Sequence, residues 1–226
     1  MNLVVDLLQR GGAVTGVVLL LGVIATVIIF ERLLHYHRAQ INVPEFLRGV
    51  LNVLRRGNAV EAASICVDTP GPVAHIVRAA ILRGSQGEKA IRQAIDDASL
   101  SEIPRLERSL GLLATISTIG PLLGLLGTVL GMVTLFMDME SAGQYVHVKT
   151  LAGGIRQALL STAVGLTVGI GAHGFYNYFV RRVDGIVLDM EKTASELLYF
   201  LSENPVSVEE QEARPRSEHG GPPRGL

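Results

Sequence analysis

The chain has 226 residues, of which 48% are hydrophobic and 18% charged, with a mean hydropathy of +0.37. Its net charge of −1 says nothing about partners, and no nucleic-acid partner is expected. The apolar residues lie in blocks rather than along amphipathic stripes, which excludes an ordinary water-soluble domain and points to a lipid bilayer.

Residues 1–10 form a short lead-in. The first apolar block, Gly11 to Phe30, is bounded by Arg10 and Glu31 and meets the ~20 residues that a helix needs to cross a hydrocarbon core. It lacks the basic start and small-residue cleavage site of a signal peptide, so an uncleaved span is expected. Residues 31–108 follow as the only sizeable polar part, and their pattern is helical. Phe46, Leu47, Val50, Leu51 and Leu54 recur at helical spacing. Gly57-Asn58 breaks that helix, and Asn58 with Glu61 three residues later makes a capping box for the next. Thr69-Pro70-Gly71-Pro72 predicts a turn, Val73 to Arg83 a helix ending at Gly84, and Glu88 onward a helix running towards the second span with a kink or break at Pro104. So few residues make a small core, and this part is expected to continue the membrane helices. Its lone cysteine, Cys66, has no partner for an intrachain disulfide and reads as a small buried hydrophobe.

The second block, Ser109 to Met137, holds 29 residues without a charge, roughly 43 Å of helix, so it must tilt or project beyond the lipid. Residues 138–150 form a short loop. The third span covers residues 151–180, and within it Gln157 to Val180 again has no Asp, Glu, Lys or Arg. From 181 to 203, Val183, Val187, Met190, Ala194, Leu197 and Leu201 form a heptad seam that predicts helix packing. Residues 204–226 are polar and rich in proline, a composition that predicts disorder. Arginines at 32, 105, 108, 181 and 182 flank the spans on one side. The positive-inside rule therefore puts the 31–108 loop and the C-terminus in the cytoplasm, and the N-terminus and the 138–150 loop in the periplasm.

No nucleophile motif, zinc motif, phosphate-binding loop or dinucleotide fingerprint is present, so no enzyme, metal or cofactor is expected. His35 and His37 lack a third ligand of clear spacing. The polar content of the second and third spans is the distinctive feature. Gly120 with Gly124, Gly127 with Gly131, and Gly165 with Gly169 are small-xxx-small pairs, which suit close packing within one subunit or the wall of a pore. Thr128 lies among the first set. Gln157, Ser161, Thr162, Gly165, Gly169, His173 and Asn177 fall on one broad face of the third span. A hydroxyl in such a helix bonds back to its own backbone or faces a polar interior. His173 alone within the spans titrates near neutral pH, either as a proton relay or as an interfacial histidine bonded to a carbonyl. Moving charge through lipid usually needs an ionisable group at mid-membrane, and the stretches 109–137 and 157–180 hold no Asp, Glu, Lys or Arg. Either the chain moves no charge, or a partner brings the group.

The stretch from Ile119 to Met132 (IGPLLGLLGTVLGM) and that from Gly154 to Leu166 (GIRQALLSTAVGL) resemble the MotA/TolQ/ExbB proton-channel family. The topology is similar too: one span, a cytoplasmic helical loop, then two spans, closer to ExbB or TolQ than to the four-span MotA. The resemblance implies an all-α membrane protein of three transmembrane helices with long cytoplasmic extensions, assembled as a homopentamer in the bacterial inner membrane. It implies a single-span partner similar to ExbD or TolR, carrying a membrane aspartate, and the involvement of a TonB-like protein in biopolymer transport. The family threonines map onto Thr128 and Thr162, with Gly124, Gly127, Gly131, Ser161, Gly165 and Gly169 around them as pore lining. The chain departs from the pattern at Gln157, where relatives often carry a glutamate; a glutamine exchanges no protons. Two alternatives stay open: a TolQ-like role in envelope integrity and division, and a membrane scaffold that conducts nothing.

Overall fold

The computed structural model describes residues 2–39, 42–142 and 148–204; the side chains of 2–11, 35, 37–39, 142 and 148–150 are outside the description. The described residues form seven α-helices and no strand. They are α1 (Asn2–Ala39), α2 (Val43–Arg55), α3 (Ala59–Asp68), α4 (Pro72–Leu82), α5 (Glu88–Glu107), α6 (Leu110–Ala142) and α7 (Val148–Glu203). Three stretches are long and apolar enough to cross a membrane: Gly12–Leu34, Glu88–Ser141 and Leu151–Glu203. Glu88–Ser141 contains α6, whose sequence is the apolar one; α5 is polar on average. The fold class is therefore all-helical with three candidate spans, as the apolar blocks require.

Contacts divide the chain into two units. The first comprises residues 1–34 and 107–182, and holds one candidate span whole and part of each of the other two. The helix α1 breaks at Gly12, whose φ of 73° is open to glycine and strained for other residues. Beyond it, α1 lies against α7: a β-carbon built on Gly22 would come within 3.0 Å of the Val168 side chain. At the start of α6, Ser109 adopts a φ of 68°, and the buried Arg32 donates to its hydroxyl at 3.3 Å. The interruption expected at Pro104 falls here instead. Proline inside α5 removes one N–H yet leaves the helix continuous to Glu107, and the left-handed backbone at Ser109 makes the turn into α6. Pro121 is likewise held inside α6. It cannot donate to the Ser117 carbonyl one turn earlier, and Gly169 of α7 lies against that carbonyl.

The second unit comprises residues 35–106 and 183 onward. Its core is built from Leu47, Val50 and Leu54 of α2, Ala62 and Cys66 of α3, Ile76, Val77 and Ile81 of α4, Ile91 and Ile95 of α5, and Met190, Leu197 and Leu201 of α7. The last three are the buried positions of the heptad seam, together with Val183; Val187 and Ala194 are half-buried. Helix α3 starts as its sequence predicts. The Asn58 side chain accepts from the Glu61 N–H at 3.2 Å and donates to the Glu61 carboxylate at 2.7 Å. The Tyr36 hydroxyl donates to the Leu106 carbonyl at 2.6 Å. Glu102, a buried carboxylate, accepts from Arg105 at 2.9 Å and lies 3.9 Å from His75. So the loop has an apolar core of its own, completed by the end of α7.

Candidate functional site: the seam between the second and third spans

Helices α6 and α7 run antiparallel and meet along their small residues, one turn of each after another. A β-carbon built on Gly131 would lie 3.1 Å from that of Ala158, and one on Gly124 would lie 3.1 Å from the Gly165 Cα and the Ser161 carbonyl. The same carbon on Gly165 would come within 2.7 Å of the Gly120 carbonyl and the Gly124 Cα, and on Gly169 within 2.5 Å of the Pro121 ring. Apart from the Ala158 β-carbon, these are backbone or ring atoms, which cannot swing aside. Glycine is needed because the helices approach backbone to backbone. Gly127 makes the same kind of room for Ser161, whose hydroxyl occupies the place a Gly127 side chain would take; Val14 of α1 closes on the spot, 3.4 Å from that carbon.

The expected polar face of α7 is thus divided by its neighbours. Ser161, Gly165 and Gly169 are buried against α6, with Ser161 only 1% exposed. Gln157 is half-buried, and its side-chain nitrogen lies 2.6 Å from where a Gly12 β-carbon would be, beside the break in α1. His173 and Asn177 are exposed, and among the described residues neither has a hydrogen-bond partner. His35 and His37 fall among the undescribed side chains.

Thr128 and Thr162 each bond to a carbonyl of the same turn of α6. The Thr162 hydroxyl crosses from α7 and donates to the Gly124 carbonyl at 3.1 Å. The Thr128 hydroxyl donates to the next carbonyl, that of Leu125, at 2.5 Å. Both residues are half-buried. The other threonines of the second span, Thr115, Thr118 and Thr134, bond back one turn within α6. Thr162 is different because Gly124 and Gly165 let α7 come close enough for its hydroxyl to reach across.

The match to known proteins covers the residues that build this seam. Residues 69–192 match the model of the MotA/TolQ/ExbB proton channel family. The chain belongs to that family. Among the relatives of this MotA/TolQ/ExbB chain, a biopolymer transport protein ExbB homolog from Methanothermobacter thermautotrophicus is 28% identical over 80% of this chain and 64% of its own length. A biopolymer transport protein of the ExbB-like group from Synechocystis sp. is 32% identical over 76% of this chain and 82% of its own. The Tol-Pal system protein TolQ from Haemophilus influenzae is 38% identical over 50% of this chain and 49% of its own. The first and third relatives therefore carry more than a third of their length outside the match. The family is one of membrane channel subunits rather than of enzymes.

The contact between Gln157 and Gly12 could not be read from the sequence, because nothing local to either residue pairs them. The bond from Thr162 to Gly124 had a partial signal: a threonine one turn from a glycine on each of two helices that both carry small-xxx-small pairs.

Proposed function

We propose that this chain is the proton-channel subunit of an inner-membrane motor, ExbB-like, in which five copies surround single-span partner helices. The observation that carries the reading is the pair Thr128 and Thr162, two hydroxyls on adjacent carbonyls of α6, in stretches (109–137 and 157–180) that hold no Asp, Glu, Lys or Arg. Lipid gives a hydroxyl no reason to be there, and a polar interior does. The ionisable group comes from the partner, a protein similar to ExbD or TolR with a carboxylic acid at membrane depth. The membrane potential supplies ~2.3 kcal/mol per charge per 100 mV, which proton passage converts into motion of the subunits about the partner. A TonB-like protein then carries that motion into biopolymer transport.

In this reading Gly124, Gly127, Gly131, Gly165 and Gly169 hold α6 and α7 close enough to form one wall of the pore, and Ser161 fills the seam behind it. Gln157 has no titratable proton and lies on the α1 side, so proton traffic depends on the partner's acid alone; His173, on the exposed surface of α7, takes no part. The basic residues at 32, 105, 108, 181 and 182 support a cytoplasmic 31–108 loop and C-terminus.

A TolQ-like role in envelope integrity is the second reading, favoured by the 38% identity to the Haemophilus protein. The ExbB-like reading leads because the relatives that cover more than three quarters of the chain carry ExbB names. The test is proton flux into proteoliposomes containing this chain and its single-span partner. Thr128→Val and Thr162→Val are expected to abolish flux while the complex keeps its size by light scattering. Full flux in either variant overturns the channel assignment and leaves the non-conducting scaffold.

A further inference from the structure

Away from the seam, α1 and α7 leave a groove of about 480 Å³ between them. The two helices run side by side in the same direction, with Gly12 against Gln157 and Gly22 against Val168. The α1 wall of the groove extends from Leu19 to Ile29, and the α7 wall from Thr167 to Phe175. From Leu19 to Ile29 a helix rises about 15 Å, which is half of a ~30 Å hydrocarbon core and so the depth of one leaflet. The walls ask for no polar partner. Thr26 donates to the Gly22 carbonyl at 2.8 Å and Thr167 to the Ala163 carbonyl at 2.8 Å, so both hydroxyls are satisfied within their own helices. Gly171 adds room, since a β-carbon there would meet nothing within 4 Å. An apolar chain fills such a space at no cost in lost hydrogen bonds, and a polar one would lose its own.

The far end of the groove is different. Phe175 and Tyr178 are exposed and both pack on the fully buried Phe179 ring, at 6.2 and 5.6 Å between centroids. Steps of three and four residues carry the same face of α7 from Phe175 to Tyr178 and on to Arg182. Side chains of a helix lean towards its N-terminus, and from Arg182 that is the direction of the groove. Among the described residues, neither the Tyr178 hydroxyl nor the Arg181 and Arg182 guanidinium groups have a hydrogen-bond or ion-pair partner. Arg32, by contrast, is buried and engaged with Ser109 and Glu31. This end of the unit holds Arg32, Arg108, Arg181 and Arg182 against Glu31 and Glu107, so its field is positive.

We propose that the groove between α1 and α7 binds one anionic phospholipid, with an acyl chain lying along it from Phe175 to Leu19 and the phosphate held by Arg182 and Tyr178. Charge decides for a lipid over a second copy of this chain. Copies inserted the same way in one membrane bring like residues to like depth, so a neighbour would set its own arginines against Arg182, and like charges repel. A phosphodiester lies at that depth, between hydrocarbon and water. Its oxygens accept from the guanidinium and from the tyrosine hydroxyl at once. A zwitterionic headgroup brings its own cation to the phosphate and gains less from a free arginine. The site lies apart from Thr128 and Thr162, and it stands whether or not the chain conducts.

The chain contains no tryptophan, so a single one introduced by substitution reports on one place. Phe175→Trp puts it at the head of the groove, and Leu20→Trp at an exposed position of α1 outside it. The full chain is reconstituted in dioleoylphosphatidylcholine vesicles with rising fractions of dibrominated phosphatidylglycerol or dibrominated phosphatidylcholine, whose bromines quench the fluorescence on contact. In Phe175→Trp the phosphatidylglycerol is expected to show about fivefold the relative binding constant of the phosphatidylcholine, the contribution of one arginine near an anionic headgroup. Leu20→Trp should show no preference. Adding Arg182→Gln to Phe175→Trp should remove the preference, and Arg182→Lys should keep it, since the attraction is to a charge. Gly171→Leu, placed where the structure has open space, should fill the groove and lower the quenching of Phe175→Trp by both lipids. Equal binding of the two lipids in Phe175→Trp, or a preference that Arg182→Gln leaves intact, overturns the headgroup assignment. Quenching of Leu20→Trp with none of Phe175→Trp would mean that another helix covers the groove, and overturns the site, as does quenching that Gly171→Leu leaves unchanged.

Discussion

Substituting Gly165 with alanine tests the backbone-to-backbone seam directly. The added carbon would lie 2.7 Å from the Gly120 carbonyl and 2.7 Å from the Gly124 Cα. Ordinary contact between carbons begins at roughly 3.5 Å, so the helices must separate by about 0.8 Å at this level. The Thr162–Gly124 bond, 3.1 Å long at rest, would stretch with them to a length at which no hydrogen bond remains. Overpacking of this kind destabilises by about 1–3 kcal/mol. Loss of an interhelical bond in a membrane adds about 0.6 kcal/mol. Alanine also favours the helix over glycine by about 1 kcal/mol, which would mask part of the loss. Gly174→Ala supplies the correction, because a β-carbon there meets nothing within 4 Å in the same helix. The difference between the two variants isolates the contact, at about 2–4 kcal/mol. Steric trapping of the protein in bicelles measures that difference. Equal stability of Gly165→Ala and Gly174→Ala would refute the close approach, and with it the reach of Thr162 across the seam.

Gln157→Ala is expected to retain proton flux, since a side-chain amide does not titrate. Loss of flux would show that the contact with Gly12 at the break in α1 is needed to hold the channel. Burial pushes the Cys66 thiol up to about 12 from an ordinary value of 9.0, with Arg78 opposing weakly. At pH 8 the thiolate, the reactive form, is then about a thousandfold scarcer than in an unfolded chain. A thiol reagent should modify Cys66 only on unfolding, and labelling at the rate of the denatured protein would contradict the packed core of α3 and α4. The raised value predicts stability that is unchanged below about pH 9 and declines as the pH climbs from there towards 12, as the unfolded chain alone gives up the proton. Single cysteines at 181 and 182, in a Cys66→Ala background, should react with a membrane-impermeant reagent only in inverted membrane vesicles. Reaction in intact spheroplasts would reverse the topology.

The fold was legible wherever one periodicity or one local signal sufficed. Three uncharged apolar blocks gave the spans, the Asn58–Glu61 box gave the start of α3, and the heptad from Val183 to Leu201 marked the buried side of the last stretch of α7. The break before α6 was misplaced because Pro104 is a strong local signal and Ser109 is none. Serine takes a left-handed backbone there with its hydroxyl held by Arg32, 77 residues earlier in the chain, and such a partner leaves no trace in the local sequence.

The site was legible in kind and not in detail, for a reason that bears on how it works. The glycines and threonines announced themselves as residue types, and the sequence left open whether the glycines pack or line a pore. The geometry makes these one property. Gly124 and Gly165 have no side chains to interpose, so α7 approaches until the Thr162 hydroxyl meets a carbonyl that is already occupied by α6's own backbone. A larger residue at either glycine would leave Thr162 pointing at its own helix, like Thr167, whose hydroxyl bonds back to Ala163. Whether a threonine in these spans is a local ornament of its helix or a link between helices is decided by the glycine opposite. For that reason Gly165→Ala should reproduce the loss of proton flux expected of Thr162→Val while leaving every hydroxyl in the chain, and full flux in Gly165→Ala would refute the link.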